Sequence, residues 1–243
     1  MSSYLKTTTL NFAAKGSVAT IQLKRPETLN AIDENMIKEL VSLLKEISIS
    51  GEFNIVVLTG GDQAFSSGGD IKNMLMKVKN EEQFASIMEL VSELAITLYN
   101  LPMLTISTIS GPAVGLGLSL ALATDYIIAH ENSKIAMNFI NIGLIPDGGA
   151  HFFLQKKLGE DRAKEFIWSG KTLTAQEALE MKLVDVVTYD CKKATEQKIE
   201  EWLSKPIEAM IRSKKILAET NRPKLLKILE LEKNGKQRMR ETE

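Results

Sequence analysis

Two glycine-rich turns and one carboxylate carry the chemistry legible in this chain. The run Gly111-Pro-Ala-Val-Gly-Leu-Gly117-Leu-Ser119 reads as a small-residue turn feeding a helix, and Gly143-Leu-Ile-Pro-Asp147-Gly-Gly149 follows it. Glycine has no Cβ, so main-chain N–H groups at a strand-to-helix turn can point closely at a bound oxygen. A second turn, Phe65-Ser-Ser-Gly-Gly-Asp70-Ile71, follows an apolar strand-like run just as Ala113–Gly117 does. If adjacent parallel strands deliver both turns to one sheet edge, their N–H groups can converge on one oxyanion. Each such donor is worth about 2.7–4 kcal/mol of transition-state stabilisation. Asp147 then supplies an acid or base, although Pro-Asp-Gly-Gly is also a turn sequence in which the aspartate could cap the next helix.

Other chemistries fit less well. Gly115-Leu-Gly117-Leu-Ser-Leu120 lacks the third glycine of a dinucleotide fingerprint, and no stretch carries the full P-loop spacing. His130 and His151 are isolated and have no metal-ligand spacing, so no metal is expected. A Ser119/His151/Asp147 triad would need a nucleophile elbow that the sequence around Ser119 does not supply. The single cysteine, Cys191, excludes an internal disulfide framework and reads as an inert thiol.

The elements that must position these groups alternate between strand and helix. Thr8–Phe12 and Val18–Leu23 suit paired strands. Met36, Ile37, Leu40, Leu43, Leu44 and Ile47 recur at helical steps and predict a helix over Asp33–Ile49. Asn54–Thr59 and Leu104–Ile109 read as buried strands, with Glu81–Asn100 helical between them. Tyr126–Ala129 is the next strand, helices begin at Gly148, Asp161 and Thr174, and a last strand lies near Val184–Val187. This order predicts an α/β fold with right-handed crossovers and a largely parallel sheet. Residues 1–190 are expected to form that core. Residues 191–243 are expected to be amphipathic helices, at Ala194–Leu203, Ile207–Thr220 and from Pro223, packed on the core or on another subunit. The charged stretch Glu230–Glu243 reads as a solvated helix end.

Composition restricts the partners. Thirty Lys+Arg against 31 Asp+Glu, interspersed, give no field that would favour nucleic acid or an anionic membrane. The amino terminus, Met1-Ser-Ser-Tyr-Leu-Lys, lacks a targeting pattern, and no apolar run approaches the roughly 18 residues of a membrane span. A soluble, cytoplasmic protein is expected.

Taken in order, Leu23-Lys-Arg-Pro26 with Leu29-Asn-Ala31, Ala64-Phe-Ser-Ser-Gly-Gly-Asp70-Ile71, Gly111–Gly117, Gly143-Leu-Ile-Pro146 and Ser169-Gly170 through Ala175-Gln-Glu-Ala178 to Leu183-Val-Asp185 cover most of the chain. Together they resemble the enoyl-CoA hydratase/isomerase (crotonase) superfamily. The resemblance implies a crotonase (ClpP-like) ββα superhelix with a helical carboxy-terminal trimerisation region, assembled as a homotrimer or a dimer of trimers. It implies acyl-CoA thioester substrates and no cofactor beyond the coenzyme A that the substrate carries. By position, the oxyanion donors would be the N–H groups of Ser67 and Leu116. Ala64, Ser67, Gly68, Gly69, Asp70, Ile71 and Leu116 would line the bound thioester, with Lys24 or Arg25 near the CoA phosphates. The stretch Met74–Met88 falls where the family often has a mobile segment beside the acyl chain.

In one respect the sequence departs from the hydratases. They use two glutamates, and the matching positions here hold Ser119 and Phe139. Neither can activate water. Asp147 falls instead where several isomerases of the superfamily carry a single acid. The reading is therefore a double-bond shift with Asp147 as proton shuttle. The alternatives are 2-enoyl-CoA hydration by another donor, a nucleophilic Asp147 in thioester hydrolysis or dehalogenation, and a non-catalytic acyl-CoA-binding protein.

Overall fold

In a computed structural model, which describes residues 7–76, 78 and 80–241, the strands and helices read from the sequence as far as Leu203 recur in order, with three short strands added between them. The leading Met1–Lys6 stretch lies outside the described residues. Strand β1 (Leu10–Lys15) pairs antiparallel with β2 (Val18–Leu23). Helix α1 (Glu34–Ser50) starts where the Asp33 carboxylate accepts the N–H of Met36, so its first turn has a partner that alanine could not supply. The apolar face predicted for it is buried: Met36, Ile37, Leu40, Leu43, Leu44 and Ile47 are all at most 2% exposed. Each such side chain contributes about 1.5–3 kcal/mol.

The chain continues through β3 (Ile55–Thr59), α2 (Glu81–Tyr99), β4 (Leu104–Ile109), β5 (Pro112–Val114), α3 (Leu116–Leu122), β6 (Tyr126–His130) and β7 (Lys134–Ala136). Helices α4 (Ala150–Leu158) and α5 (Glu160–Ser169), strand β8 (Thr172–Thr174), α6 (Ala175–Glu180), β9 (Val186–Thr188), α7 (Cys191–Leu203) and α8 (Ile207–Glu241) complete it. Thr174 and Glu177 form the expected reciprocal cap of α6. The main sheet has the order β1-β2-β3-β4-β6-β9, and every pair after the first is parallel. A second sheet, β5-β7-β8, is built of three-residue strands too short to show a period in sequence.

Two expectations about the carboxy-terminal part are corrected. Pro223 does not separate two helices; it lies within the 35-residue α8. The helix spans about 52 Å at 1.5 Å per residue. The lost main-chain hydrogen bond is offset by packing, since Ala218, Leu225 and Leu229 are buried in the main core. The stretch after Glu230 is not wholly solvated either, because Glu232 is 3% and Lys236 4% exposed. Nearer its start, α8 is anchored by Lys214, whose ammonium pairs with Asp125 at 2.7 Å and donates to the Met103 carbonyl at 2.7 Å.

Glu39 on α1 ties down the chain ahead of β1, accepting from the N–H and hydroxyl of both Thr8 and Thr9 at 2.6–2.8 Å. Burial alone would raise its pKa, but these bonds outweigh it and hold the carboxyl at about 2. The folded value lies below the unfolded one, so this stabilisation is complete above about pH 4.5 and fades as pH falls towards 2. Glu39→Gln is therefore expected to flatten the acid limb of a stability-against-pH curve between those values, as read by urea unfolding.

Candidate active site

The two glycine-rich turns meet. Ser66 donates its N–H to the Pro112 carbonyl and accepts that of Val114, both at 3.0 Å, bridging the first turn to β5. A Cβ on Gly68 would lie 2.9 Å from the Val114 carbonyl oxygen and 3.8 Å from the Leu116 nitrogen, so the close approach requires glycine there. Gly115 has φ 52° and ψ −122°, a conformation reserved in practice for glycine, and it aims the following N–H, that of Leu116. Leu116 is the first residue of α3, where the N–H has no partner within the helix.

The donor expected at Ser67 is corrected. Its N–H is already donated to the Leu29 carbonyl at 2.9 Å. The loop carrying Leu29 is held by Asn30, whose side chain accepts from the Arg25 N–H and donates to the Gly60 and Ala64 carbonyls. Two residues on, Gly69 forms the centre of a parallel bridge to Ile32 made by the Gly68 carbonyl and the Asp70 N–H. The Gly69 N–H has no acceptor among the described residues, and neither has that of Leu116. Both residues line one pocket of about 120 Å³.

Asp147 lines the same pocket and is 4% exposed. It does not cap α4: the residue at that position is Gly149, without a side-chain bond to the helix. Its carboxylate Oδ2 instead meets the ammonium of Lys236, and Oδ1 is buried with no hydrogen-bond partner among the described residues. The main chain of Asp147 is fixed from α3, where the Ser119 hydroxyl donates to its carbonyl at 2.8 Å. Gly148 packs so closely that a Cβ would lie 2.7 Å from the Leu116 side chain. One short helix thus registers both an N–H donor and the acid. Ser119→Ala is expected to cost about 0.5–1.5 kcal/mol in urea unfolding, because that carbonyl keeps only its longer bond, from the Ala150 N–H at 3.3 Å. Turnover should fall about fivefold as the Asp147 turn loosens.

The triad drawn from the sequence does not assemble. His151 Nδ1 lies 2.7 Å from Glu232 Oε1, not against Asp147. Glu232 also accepts the N–H groups of Gly149 and His151, at 2.8 and 3.1 Å. Burial pushes the Glu232 carboxyl up, against the opposing pull of His151 and these two amides. Sequence reasoning missed Glu232 and Lys236. The signal was present, since Leu225, Leu229, Glu232 and Lys236 fall at helical steps on one face.

The other expected site residues divide. Ser67, Gly68 and Ile71 line the pocket with Gly69 and Leu116, and apolar Met74, Met88 and Leu144 form its greasy side. Ala64 borders a separate cleft of about 220 Å³ with Pro26 and Leu29. Asp70 and Arg25 are spent on structure: the guanidinium reaches Asp70 at 3.1 Å, Asp33 at 3.2 Å and the Ala31 carbonyl at 2.6 Å. Burial would raise the Asp70 pKa, but hydrogen bonds from Asn73 and the charge of Arg25 outweigh it and hold the carboxyl below its usual range. Arg25 is therefore not free for a CoA phosphate, whereas Lys24 is exposed. The wide helical turn Lys72–Met76 follows the first glycine-rich turn; Lys77 and Lys79 of the expected mobile stretch lie outside the described residues.

A parallel sheet whose two turns place free N–H groups beside one buried carboxylate defines a class of site, one suited to holding a thioester enolate. The family model described as enoyl-CoA hydratase/isomerase matches residues 13–243, and the chain belongs to that family. It is 42% identical over 234 residues to the Bacillus subtilis protein YhaR, which carries an enoyl-CoA hydratase/isomerase name; the match covers 96% of this chain and 91% of that one. A trans-2-decenoyl-[acyl-carrier-protein] isomerase of Streptococcus mutans is 30% identical over 169 residues, 69% of this chain and 64% of its own. The fold superposes on an enoyl-CoA hydratase/isomerase from Mycobacterium paratuberculosis with a TM-score of 0.90, at 24% identity, covering 97% and 95% of the two chains. It also matches a Thermobifida fusca structure solved in complex with CoA, with a TM-score of 0.80, 26% identity and coverage of 92% and 91%.

Proposed function

We propose that this chain is an enoyl-CoA isomerase that converts a 3-enoyl thioester to the 2-enoyl isomer, with Asp147 as its proton carrier. The reading is carried by the solitude of that carboxylate. Among the described residues lining the pocket Asp147 is the one acid, and the positions where a hydratase would hold glutamates carry Ser119, bonded to backbone, and Phe139. Asp147 takes a proton from C2, which places negative charge on the thioester oxygen of the resulting dienolate. The N–H groups of Gly69 and Leu116 hold that charge without reorganising. The protonated Asp147 then returns the proton at C4, so atoms balance and no water is consumed. Isomerase activity in the name of the Streptococcus mutans relative supports the same class of reaction. Coenzyme A enters only as part of the substrate, and the Thermobifida fusca complex supports its binding in this fold.

The reading is tested by giving purified protein 3-enoyl-CoA and, separately, 2-enoyl-CoA. Double-bond migration without hydration is expected. Fast hydration of 2-enoyl-CoA would overturn it in favour of a hydratase. Tight CoA binding without turnover would mark a binding protein, and a trapped acyl-aspartate at Asp147 would mark the nucleophilic route.

A further inference from the structure

The end of α8 reaches into the pocket, and the charged groups it delivers are neither solvated nor paired with each other. Lys236 is 4% exposed, lines the pocket beside Asp147, and places its ammonium on Asp147 Oδ2 and 4.7 Å from the centre of the Phe139 ring. One helical turn earlier, Glu232 holds the Gly149 and His151 N–H groups and the His151 ring. The two side chains together grip both ends of the Asp147–His151 turn. Of the two Asp147 oxygens, one is committed to Lys236 and the other is left without a partner among the described residues.

We propose that Lys236 is the positioning residue for the proton carrier: it holds Asp147 by Oδ2, so that Oδ1 is the oxygen that takes and returns the substrate proton. The proposal rests on the reading of Asp147 as that carrier. A carboxylate removed from water without a partner is forced towards its neutral form, which cannot abstract a proton. The buried Lys236 ammonium gives the carboxylate that partner, and the face of the Phe139 ring gives the ammonium a second favourable contact in place of water. The same contact fixes one torsional state of the Asp147 side chain, and a base held within reach of the reacting carbon gains most from such fixing.

The test compares wild type, Asp147→Asn, Lys236→Met and Lys236→Ala on 3-enoyl-CoA. Lys236→Met is expected to lower kcat by about 10- to 10²-fold with KM changed by less than about threefold, because Asp147 stays in the pocket but is no longer held in place. Small alkylammonium ions should restore part of the Lys236→Ala rate in a saturable way, and should do nothing for Asp147→Asn. A merely structural lysine would give neither the kcat-only loss nor rescue graded by amine size. If Lys236→Met does not fold, Lys236→Gln carries the same kcat expectation. The double variant Asp147→Asn/Lys236→Met, which removes both charges, should then melt above Lys236→Met. A wild type that isomerises, loses activity in Asp147→Asn and keeps its kcat in Lys236→Met or Lys236→Gln overturns this proposal alone. A wild type that does not isomerise 3-enoyl-CoA overturns the underlying reading together with it.

Discussion

Replacing Asp147 with Asn is expected to lower kcat for 3-enoyl-CoA isomerisation by about 10²–10⁴-fold, the range a positioned acid or base supplies. Asparagine is nearly isosteric and can still accept from Lys236, so the turn should persist and KM should move little. The expectation is sharp because no second carboxylate lines the pocket among the described residues. Lys236 is the other charged group on its wall, and His151 is turned away onto Glu232. Loss in kcat with KM kept is the signature of an interaction made only in the transition state. Steady-state kinetics on the two proteins, with circular dichroism to confirm the fold, measures it.

Leu116→Pro is expected to lower kcat by about 10²–10³-fold relative to Leu116→Ala, the cost of removing one oxyanion donor. Proline at this position is the unusual substitution that deletes an N–H without breaking a helix. Leu116 is the first residue of α3, where proline's fixed φ is suitable and the N–H has no helical acceptor. The residue before it must avoid the right-handed helical region, and Gly115 at φ 52°, ψ −122° already does. Both variants lose the buried leucine side chain, at about 2–5 kcal/mol for the alanine. Their difference in kcat therefore isolates the N–H. A proline variant as active as the alanine variant, at a temperature where both are folded, would remove Leu116 from the oxyanion site.

What the sequence made legible, and what it hid, follows from how local each feature is. The parallel-sheet order was readable because the strands around Ile55–Thr59 and Leu104–Ile109 are continuous apolar runs and the helices between them repeat their apolar face. Asp147 was readable for a similar reason: it stands in a short glycine-rich context that sets it apart. The donor position was misplaced by two residues. Whether Ser67 or Gly69 offers a free N–H is decided by the Leu29 carbonyl, almost 40 positions earlier, and no local pattern encodes that pairing. The strands β5, β7 and β8 escaped because three residues cannot show alternation. Pro223 suggested a break, since proline removes a helical hydrogen bond, yet the faces buried on either side of it keep α8 continuous. Lys236 was hidden among the many charges of its own segment. Only its helical register with Leu225 and Leu229 distinguishes a lysine aimed at the core from one in water.

The shuttle is tested most directly by isomerising 3-enoyl-CoA in D₂O and analysing the earliest product by NMR and mass spectrometry. Asp147 is 4% exposed, so a proton it takes from C2 is sheltered before it is returned. The mechanism predicts a 2-enoyl-CoA of unchanged heavy-atom composition whose C4 retains a substantial share of substrate-derived protium. A 3-hydroxyacyl product, or an early product labelled entirely from solvent at C4, would contradict it.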